Sequence, residues 1–317
     1  MDNDYLVSIL LPSWNTQEHS IAFLNSLIEQ DYPLHQLEVV VVDNGSQDDS
    51  VDSLKKWAST EIAQNLRAFK LIELPTNRGI AMAYNIGYEH ADPEAWAIIR
   101  AESDVVWESD LVSTLTATLR QHSIAGVVGA HGALYGKPQE IDHAARYINW
   151  WTGNMSNQTP QNIVECDCVF GPTFIIRQAC IKRLGYFFKE DRFFADELAF
   201  CTRIKHAGYQ VLYNPQARAF RKVAGSTSQL TSARFDYIAY FEKYLLYLEQ
   251  NTWYRNISIF LYAALYALKH RKILIIHAMR NAISQSICGK KTLAPQQRSD
   301  MSIPEWLAEE KQALRFD

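Results

Sequence analysis

The sequence predicts an α/β protein with a mostly parallel, Rossmann-like sheet, flanking helices and a helical C-terminal extension. In the first half, short runs of Val, Ile and Leu alternate with segments of helical period, which is typical of buried parallel strands joined by helices. After residue 235, apolar residues recur at helical spacing instead. We therefore expect a first domain at residues 1–228 and a helical extension at residues 229–317.

The first three predicted strands each end in polar, turn-forming residues. Residues 6–11 are followed by Pro12-Ser13-Trp14-Asn15, residues 37–42 by Asp43-Asn44-Gly45-Ser46, and residues 69–74 by Pro75-Thr76-Asn77-Arg78-Gly79. Segments of helical period follow at residues 16–28, 48–57 and 80–88. The carboxyl ends of parallel strands share one edge of a sheet, where ligands bind in open α/β folds, so these residues should lie together.

The next strand is predicted within residues 98–107, and it ends in two carboxylates. Glu102 and Asp104 are separated by Ser103. Two acids at the ligand-binding edge can hold a divalent cation through oxygen, and the cation can carry phosphates. Taken alone, the stretch fits a surface turn that caps the following helix equally well.

Asp43, Asn77, Glu102 and Asp104 together suit a nucleotide. A carboxylate accepts hydrogen bonds from base N–H or ribose O–H groups, and a metal can neutralise a pyrophosphate. The phosphate loop G-x-x-x-x-G-K-[ST] is absent from the sequence, and no G-x-G-x-x-G follows the first strand. Charge neutralisation is therefore left to a metal or to basic side chains. Taken alone, Asp43-Asn44-Gly45-Ser46 fits a plain turn with a helix cap better, but several such strand ends at one edge favour the nucleotide site.

The second half of the sheet is less regular in sequence. We predict a fifth strand at residues 126–135, extended chain at 164–176, a short helix at 177–184 and a last strand at 210–220. Residues 137–162 show no clean period, and we expect an irregular surface facing a second ligand. Residues 221–228 are predicted as a basic loop, whose Arg221 either grips phosphate or is solvated.

Asp196 and Glu197 form a pair of adjacent acids beside several aromatic residues. A predicted helix begins here and runs to Gly208. Acids at a helix start suit the helix dipole, which favours a structural cap. The functional alternative is a general base, since a carboxylate beside apolar rings has a raised proton affinity and still ionises near neutral pH.

The C-terminal extension combines aromatic helices with positive charge. Helical spacing is found at residues 237–248, 257–268 and 273–287, and Lys269-His270-Arg271-Lys272 follows the second segment. An aromatic, amphipathic helix beside a basic cluster can lie on an anionic membrane surface. The alternative is packing against the main domain or against a second subunit.

Composition narrows the classes of partner. The net charge of −4 and the pI of about 6.2 disfavour nucleic acid. The five cysteines have no paired spacing that would indicate a disulfide framework or a zinc site. The sequence shows neither a secretory signal nor an apolar run long enough to span a membrane. We expect a cytoplasmic protein, with peripheral contact at the inner face of the cytoplasmic membrane as an alternative.

These motifs resemble those of family 2 glycosyltransferases with the GT-A fold, of the bacterial rhamnosyltransferase-like kind. The resemblance covers about residues 6–228. Residues 12–15 resemble P-x-Y-N, residues 41–48 resemble V-V-D-N-G-S-x-D, and Asn77-Arg78-Gly79 with Asn85-Ile86-Gly87 resemble N-x-G…N-x-G. Glu102-Ser103-Asp104 matches the D-x-D or N-x-D motif, and Leu184-Gly185-Tyr186-Phe187 with Asp196-Glu197, Arg203 and Gly208 matches G-x-F…E-D…R…G.

The resemblance implies an inverting glycosyltransferase of cell-surface polysaccharide synthesis. It would move a hexosyl or deoxyhexosyl group from a nucleotide-diphosphate sugar to a glycan or lipid-linked glycan. Asp43 would contact the base or ribose, and Asp104, with Glu102 nearby, would bind Mn²⁺ or Mg²⁺ on the diphosphate. Glu197 would be the catalytic base, with Asp196 as the reserve candidate. The remaining residues implied in donor binding are Pro12, Trp14, Asn15, Asn77, Gly79, Asn85, Ser103 and Arg221.

Two departures from the family pattern keep other functions open. The acid pair is Asp-Glu where the family usually has Glu-Asp. Arg221 stands where the family often has a metal-binding His, and an Arg cannot ligate a cation, although it can itself neutralise a diphosphate. A non-catalytic nucleotide-sugar or glycan-binding protein therefore remains an alternative. A sugar nucleotidyltransferase should carry a glycine-rich basic loop after the first strand, where this chain has Pro12-Ser13-Trp14-Asn15.

Overall fold

The computed structural model describes residues 5–169, 171–184, 196–222, 232–270 and 272–288. In these ranges the strands are β1 Val7–Ser13, β2 Leu37–Asp43, β3 Ala68–Glu73, β4 Ala97–Arg100, β5 Val105–Trp107, β6 Ala125–Leu134, β7 Lys137–His143, β8 Ala145–Asn149, β9 Asn154–Gln158, β10 Val164–Glu165, β11 Cys168–Val169, β12 Phe174–Arg177 and β13 Gln210–Arg221. The helices are α1 Gln17–Ile28, α2 Ser50–Ala58, α3 Ile80–His90, α4 Leu111–Gln121, α5 Gln178–Leu184, α6 Asp196–His206, α7 Ser232–Gln250, α8 Trp253–Lys269 and α9 Ile273–Cys288.

A mixed central sheet runs in the order β10-β13-β6-β12-β4-β1-β2-β3. The neighbours β3, β2, β1 and β4 are parallel, and β13 is parallel to β6, while β12 lies antiparallel between β4 and β6. Every residue of β1, β2 and β4 is buried, as expected for parallel strands that are covered on both faces. The predicted fold class, α/β with flanking helices and a helical C-terminal extension, is confirmed.

Alternate residues of the central strands contribute their side chains to two apolar layers, one on each face of the sheet. Leu10 and Val40 join a cluster with α3, α6 and the C-terminal helices. Ile9 and Val39, which point to the opposite face, join a cluster with α1, α2 and α4. This period-two division fixes the register of the sheet and so fixes which residues reach its carboxyl edge.

The predicted strand within residues 98–107 is in fact two strands. β4 ends at Arg100, and β5 turns away to pair antiparallel with β13. Residues 101–104 form the turn between them, which carries Glu102 and Asp104 beyond the end of β4. Arg221, predicted in a loop, is instead the last residue of β13, where it pairs with Val105.

The prediction of an irregular surface at residues 137–162 is wrong. β7 pairs with β6, while β8 and β9 form a hairpin that joins β11 in a small second sheet. β9 is exposed along its whole length and β7 is mostly exposed. These strands therefore lack the apolar alternation that marks a half-buried strand in sequence.

The C-terminal helices α7, α8 and α9 pack on one another, and α7 and α8 also contact the β8–β9 hairpin. Tyr247 of α7 donates a hydrogen bond to the carbonyl of Gly153 in the hairpin turn, at 2.9 Å. Across the described ranges, every helix is too short or too polar to cross a membrane. The predicted domain boundary at residue 228 lies outside the described residues and stays a prediction.

Candidate active site

Polar side chains gather where β2, β1 and β4 end side by side. Asp43 of β2 pairs with Ser13 of β1, and Arg100 of β4 pairs with Leu10 on the other side of β1. Neighbouring strands lie about 4.8 Å apart, so β2 and β4 are roughly 10 Å apart at this edge. The turn with Glu102 and Asp104 follows directly.

Asp43 is buried at the end of β2, and only one of its carboxylate oxygens has a protein partner. Its Oδ2 accepts a hydrogen bond from the backbone N–H of Ser46, at 2.9 Å. Its Oδ1 is buried and has no hydrogen-bond partner within the part of the chain that the structure describes. A buried polar atom costs free energy when it stays unpaired, so this oxygen is available to accept a hydrogen bond from an N–H or O–H group.

The loops after β2 and β3 are locked together by side-chain amides. Asn44 donates to Asn77 Oδ1 at 3.0 Å and accepts from the Arg78 backbone N–H at 2.8 Å. Asn77 Oδ1 also accepts from the backbone N–H of Gly79, at 2.8 Å. Gly45 has φ +76°, and a Cβ there would lie 2.7 Å from the Thr76 backbone, so a side chain is excluded.

The loop after β1 is tied to the same structure. Asn15 has φ +51°, donates its backbone N–H to Ser46 Oγ at 2.9 Å and accepts from the Gln47 backbone N–H at 2.8 Å. Pro12 is buried in β1, and Trp14 is half-buried beside Asn15. Among the other residues implied in donor binding, Asn85 lies half-buried on α3 and Ser103 lies half-buried in the turn after β4.

Arg221 lies among three carboxylates, two from the turn after β4 and one from β7. It donates to Asp104 Oδ2 at 3.2 Å, to Asp142 Oδ2 at 3.3 Å and to Glu102 Oε2. The side chains are largely buried, with between 13% and 29% of their surface exposed. The other oxygen of Asp104, Oδ1, is buried without a hydrogen-bond partner in the described ranges.

The charges of this cluster do not balance. Burial and repulsion from Glu102 raise the pKa of Asp104 to about 6, although Arg221 attracts the charged form. Burial disfavours the charge on Arg221, but the three carboxylates outweigh it and raise the guanidinium pKa. Burial also works against the charge on Asp142, yet the hydrogen bond from His143 and the nearby Arg221 hold its pKa below the usual range. The excess of negative charge makes the cluster a place for an additional cation.

A second arginine links this cluster to the base candidate. Arg100 is almost fully buried between the rings of Tyr84 and Phe174, whose centroids lie 4.6 Å and 5.5 Å from its Cζ. It donates to Glu102 Oε1 at 3.2 Å and is also ion-paired with Glu197. Arg100 and Arg221 therefore contact the same carboxylate, Glu102, through its two different oxygens.

Glu197 lies at the start of α6, with its carboxylate buried. Asp196 begins the same helix, and its side chain lies outside what the structure describes. The structure thus connects Glu197 to Glu102 through Arg100, and Glu102 to Asp104 through Arg221. Asp43 shares the sheet edge but belongs to the separate loop network of β2 and β3.

Sequence reasoning missed Arg100, Asp142 and His143. Arg100 gave a usable signal, because a charged residue that closes an otherwise apolar strand needs a partner. Asp142 and His143 fell in the stretch expected to be irregular. The His143 ring is wedged between Gly132 and Gly171, where a Cβ would lie 1.7 Å and 2.4 Å from ring atoms. This packing holds the β7 end, and with it Asp142, against Arg221.

The residues present fit a divalent cation through few protein ligands. No group of three or more His, Cys, Asp or Glu in the described ranges is arranged to hold a metal alone. Mg²⁺-type sites, however, use one or two carboxylates plus substrate phosphates and water. The unpaired Oδ1 of Asp104, with Glu102 nearby, matches that requirement.

A family model described as glycosyl transferase family 2 matches residues 8–185, which is more than half of the chain. The chain belongs to glycosyl transferase family 2. The resemblance drawn from the sequence motifs is therefore confirmed at the level of the family, while the rhamnosyltransferase-like subtype stays a prediction.

The chain is similar to curated proteins that are named as glycosyltransferases or as a polysaccharide synthase. The chain is 26% identical over 259 residues to an uncharacterized glycosyltransferase of Haemophilus influenzae, covering 78% of this chain and 93% of that protein. It is 21% identical over 234 residues to the poly-beta-1,6-N-acetyl-D-glucosamine synthase of Staphylococcus epidermidis, covering 72% of this chain. The chain spans only 52% of that second relative.

Solved structures confirm the GT-A fold class. The mannosyltransferase PcManGT from Pyrobaculum calidifontis, in complex with GDP-Man and Mn²⁺, aligns with a TM-score of 0.58 at 19% identity, covering 98% of this chain and 81% of that chain. TarS residues 1–349 of Staphylococcus aureus, in complex with UDP-GlcNAc, aligns with a TM-score of 0.61 at 18% identity, covering 89% of this chain and 81% of that chain.

Proposed function

We propose that this family 2 member is an inverting glycosyltransferase. It transfers a hexosyl or deoxyhexosyl group from a nucleotide-diphosphate sugar to a glycan or lipid-linked glycan acceptor of the cell surface. The observation that carries the proposal is the linkage of Glu197 to Glu102 and Asp104 through Arg100 and Arg221. It brings a base candidate next to a cluster suited to a diphosphate, at the edge that also holds Asp43.

In this reaction Asp43 binds the nucleoside of the donor, and Glu197 acts on the acceptor. The unpaired Oδ1 of Asp43 accepts a hydrogen bond from the base or ribose of the donor. The acceptor hydroxyl oxygen attacks the anomeric carbon, the bond from that carbon to the β-phosphate oxygen breaks, and the nucleoside diphosphate leaves. Glu197 takes the hydroxyl proton, and Arg100, with which it is ion-paired, orients its carboxylate.

Two sources of positive charge meet the leaving diphosphate. Arg221 supplies one guanidinium directly, since a fork of N–H donors matches phosphate oxygens. A divalent cation, held by Asp104 with Glu102 nearby, would supply further Lewis-acid stabilisation of the same oxygens. Structural neighbours that contain Mn²⁺ support this assignment by analogy of fold.

Glu197→Gln tests the proposed base. We expect turnover to fall at least about a hundredfold while donor binding survives, because the amide keeps the shape but cannot take a proton. Turnover is measured by release of nucleoside diphosphate with a donor panel, and donor binding by calorimetry. Asp196→Asn is run in parallel, and if it alone abolishes turnover, Asp196 rather than Glu197 is the base.

Glu38→Gln is the matched control for that variant. Glu38 is also a buried glutamate in an ion pair, with Lys70 at 2.6 Å, but it lies at the amino end of β2, away from the site. It should lower the melting temperature without a hundredfold effect on turnover. Equal losses from both substitutions would show that removing any buried carboxylate disables the fold.

The alternative, a non-catalytic nucleotide-sugar-binding protein, predicts a different result. A thermal-shift screen with UDP, dTDP and GDP, each with and without Mn²⁺, identifies the nucleotide, because a ligand selective for the folded state raises the melting temperature. Binding of one nucleotide without turnover of any matching sugar, across glycan and lipid-linked acceptors, would support the binding protein and refute transfer.

A further inference from the structure

Helix α8 buries its small residues and exposes its large ones. The residues that face the protein interior include Asn256, Ala263 and Ala267, with Ile259 as the large exception. The exposed apolar side chains of the helix are Trp253, Tyr254, Ile257, Leu261, Tyr262, Leu265, Tyr266 and Leu268. Trp253 is 73% exposed, Leu261 60% and Leu265 67%. A surface helix normally shows the reverse pattern, with its polar face outward.

The exposed face of α8 continues onto the β8–β9 hairpin. Trp151 and Met155 of the hairpin are exposed, and the Trp151 ring lies 6.0 Å from the Tyr254 ring. Asn154 donates to the hydroxyl of Tyr262 at 2.9 Å, which fixes the hairpin to the helix. We call these exposed residues of α8, together with Trp151 and Met155, the aromatic face. Large contiguous apolar patches of this kind mark interaction sites on soluble proteins.

Basic residues lie near both ends of α8, and neither α8 nor α9 contains an acidic residue. In the sequence, residues 250–288 contain five Lys or Arg and no Asp or Glu, although the whole chain carries a net charge of −4. Arg255 stacks on Trp151, with its Cζ 5.5 Å from the ring centroid. Lys269, His270 and Lys272 are exposed at the far end of α8.

From this arrangement we infer that the aromatic face lies flat on an anionic lipid membrane. Trp and Tyr favour the membrane–water interface, Leu and Ile enter the acyl boundary, and Lys and Arg near the surface attract anionic headgroups. A symmetric contact with a second copy would place the same face against itself. The basic residues of two copies would then meet without an acidic partner on α8 or α9, which opposes association.

Membrane docking of this face gives the proposed transferase access to a lipid-linked acceptor. The hairpin that carries Trp151 also contains Arg146, whose strand β8 pairs with β11, and β11 packs against α6, the helix of Glu197. The docked surface and the base candidate are thus connected through the small second sheet. Membrane docking depends only on the exposure and charge of the aromatic face, so vesicle binding tests it without sugar transfer.

The test is co-sedimentation of the full chain with vesicles. Phosphatidylcholine vesicles containing about 30% phosphatidylglycerol should bind the protein, and pure phosphatidylcholine vesicles should bind it much less. The double variant Leu261→Asp/Leu265→Asp should lower the partition coefficient at least about tenfold, because it puts charge into the acyl boundary. Lys269→Glu/Lys272→Glu should lower it on the anionic vesicles by at least a similar factor, since each substitution replaces attraction to anionic headgroups by repulsion.

Ile124→Asp is the control, because Ile124 is an exposed apolar residue, at 56%, in the turn before β6. Its partitioning should match that of the unsubstituted chain, and circular dichroism melts confirm that all variants are folded. Equal binding by the wild type and by Leu261→Asp/Leu265→Asp would overturn the inference. The inference would also be overturned if the unsubstituted chain did not bind anionic vesicles and light scattering showed that it is a dimer, which the same double variant converts to a monomer.

Discussion

The two ends of the proposed donor site treat their carboxylates differently. Asp43 and Asp104 each keep one buried oxygen without a hydrogen-bond partner in the described ranges. The other oxygen of Asp43 accepts a neutral backbone N–H, whereas the other oxygen of Asp104 accepts from the guanidinium of Arg221. Asp43 belongs to a rigid loop of amides, and Asp104 belongs to a crowded cluster of ions.

This contrast matches the chemistry of a nucleotide-diphosphate sugar. A base and a ribose offer neutral N–H and O–H donors, which a fixed acceptor in a rigid loop can distinguish. A diphosphate offers negative charge that grows on the leaving oxygen during transfer, which cations stabilise. Substitutions at each end test whether Asp43 recognises the nucleoside and the cluster around Arg221 stabilises the diphosphate.

Arg221→Ala should have the largest effect. It removes the guanidinium that faces the leaving diphosphate and leaves Glu102, Asp104 and Asp142 without their shared partner. We expect kcat/KM to fall by about 10² to 10³, as for the loss of one preorganised donor at a developing charge. Steady-state kinetics at several Mn²⁺ concentrations provide the measurement.

Arg221→His sharpens that result. A histidine at this position can ligate a cation, so its activity should depend on Mn²⁺ more steeply than that of the unsubstituted chain. If Arg221→Ala retained nearly full activity, the positive charge would have to come from elsewhere and the contrast between the two ends would fail.

The sequence predicts the nucleotide end better than the diphosphate end. The motif around Asp43 is local, because its turn, its glycine and its asparagine follow one strand, and the strand bounds were placed within two residues. The cluster around Arg221 is assembled from three distant parts of the chain, namely the turn with Glu102 and Asp104, residue 142 and residue 221. The third acid, Asp142, lies on the mostly exposed strand β7, which has no apolar alternation. The sequence pattern therefore does not predict that strand.

Contacts between distant parts of the chain also decide the burial of Arg100 and the orientation of α8, so the sequence did not predict either. The burial of Arg100 depends on Tyr84 and Phe174, two rings from elements that meet only in the folded chain. For α8, the spacing predicts a helix but does not decide which face is outward, since both faces are apolar. Only the packing of α8 on α7 and α9 shows that the large residues are exposed.

Asp43→Asn tests the nucleotide end. It replaces the unpaired Oδ1 by an amide nitrogen and keeps an oxygen for the Ser46 backbone N–H. We expect donor affinity to fall about tenfold or more, because a hydrogen bond to a charged acceptor contributes about 1.5 to 3 kcal/mol. Turnover at saturating donor should change little, which a comparison of KM with kcat shows.

Asp48→Asn serves as the control, since Asp48 lies in the same loop, is exposed and accepts only from the Ser50 backbone N–H at 3.1 Å among the described contacts. A similar loss of donor affinity from both variants would mean that the loop conformation, rather than the Asp43 acceptor, recognises the nucleotide.

Asp104→Asn should change how stability depends on pH. The folded-state pKa of Asp104 is raised to about 6 from an ordinary value of 3.8, so the folded protein binds more protons than the unfolded chain between these values. The contribution of Asp104 to stability therefore falls as pH rises through this window. Without added metal, the melting temperature of Asp104→Asn should decline less than that of the unsubstituted chain between pH 4.5 and about 7. A parallel decline in both proteins would contradict the raised pKa.

Asp142→Asn should have the smallest effect on activity and the opposite sign in stability. The pKa of Asp142 is held below its usual range, so its charge stabilises the fold above the ordinary value of 3.8 and this contribution is lost as pH falls through the lower folded pKa. The substitution should lower the melting temperature at neutral pH. It also removes one of the three carboxylates that compete with phosphate for Arg221. Without metal, the affinity for the nucleoside diphosphate should therefore rise about two- to threefold, because the ion pair that is lost is partly screened by solvent. Calorimetric titration without Mn²⁺ measures this affinity, and a clear decrease would show that Asp142 orients Arg221 for the diphosphate instead of competing with it.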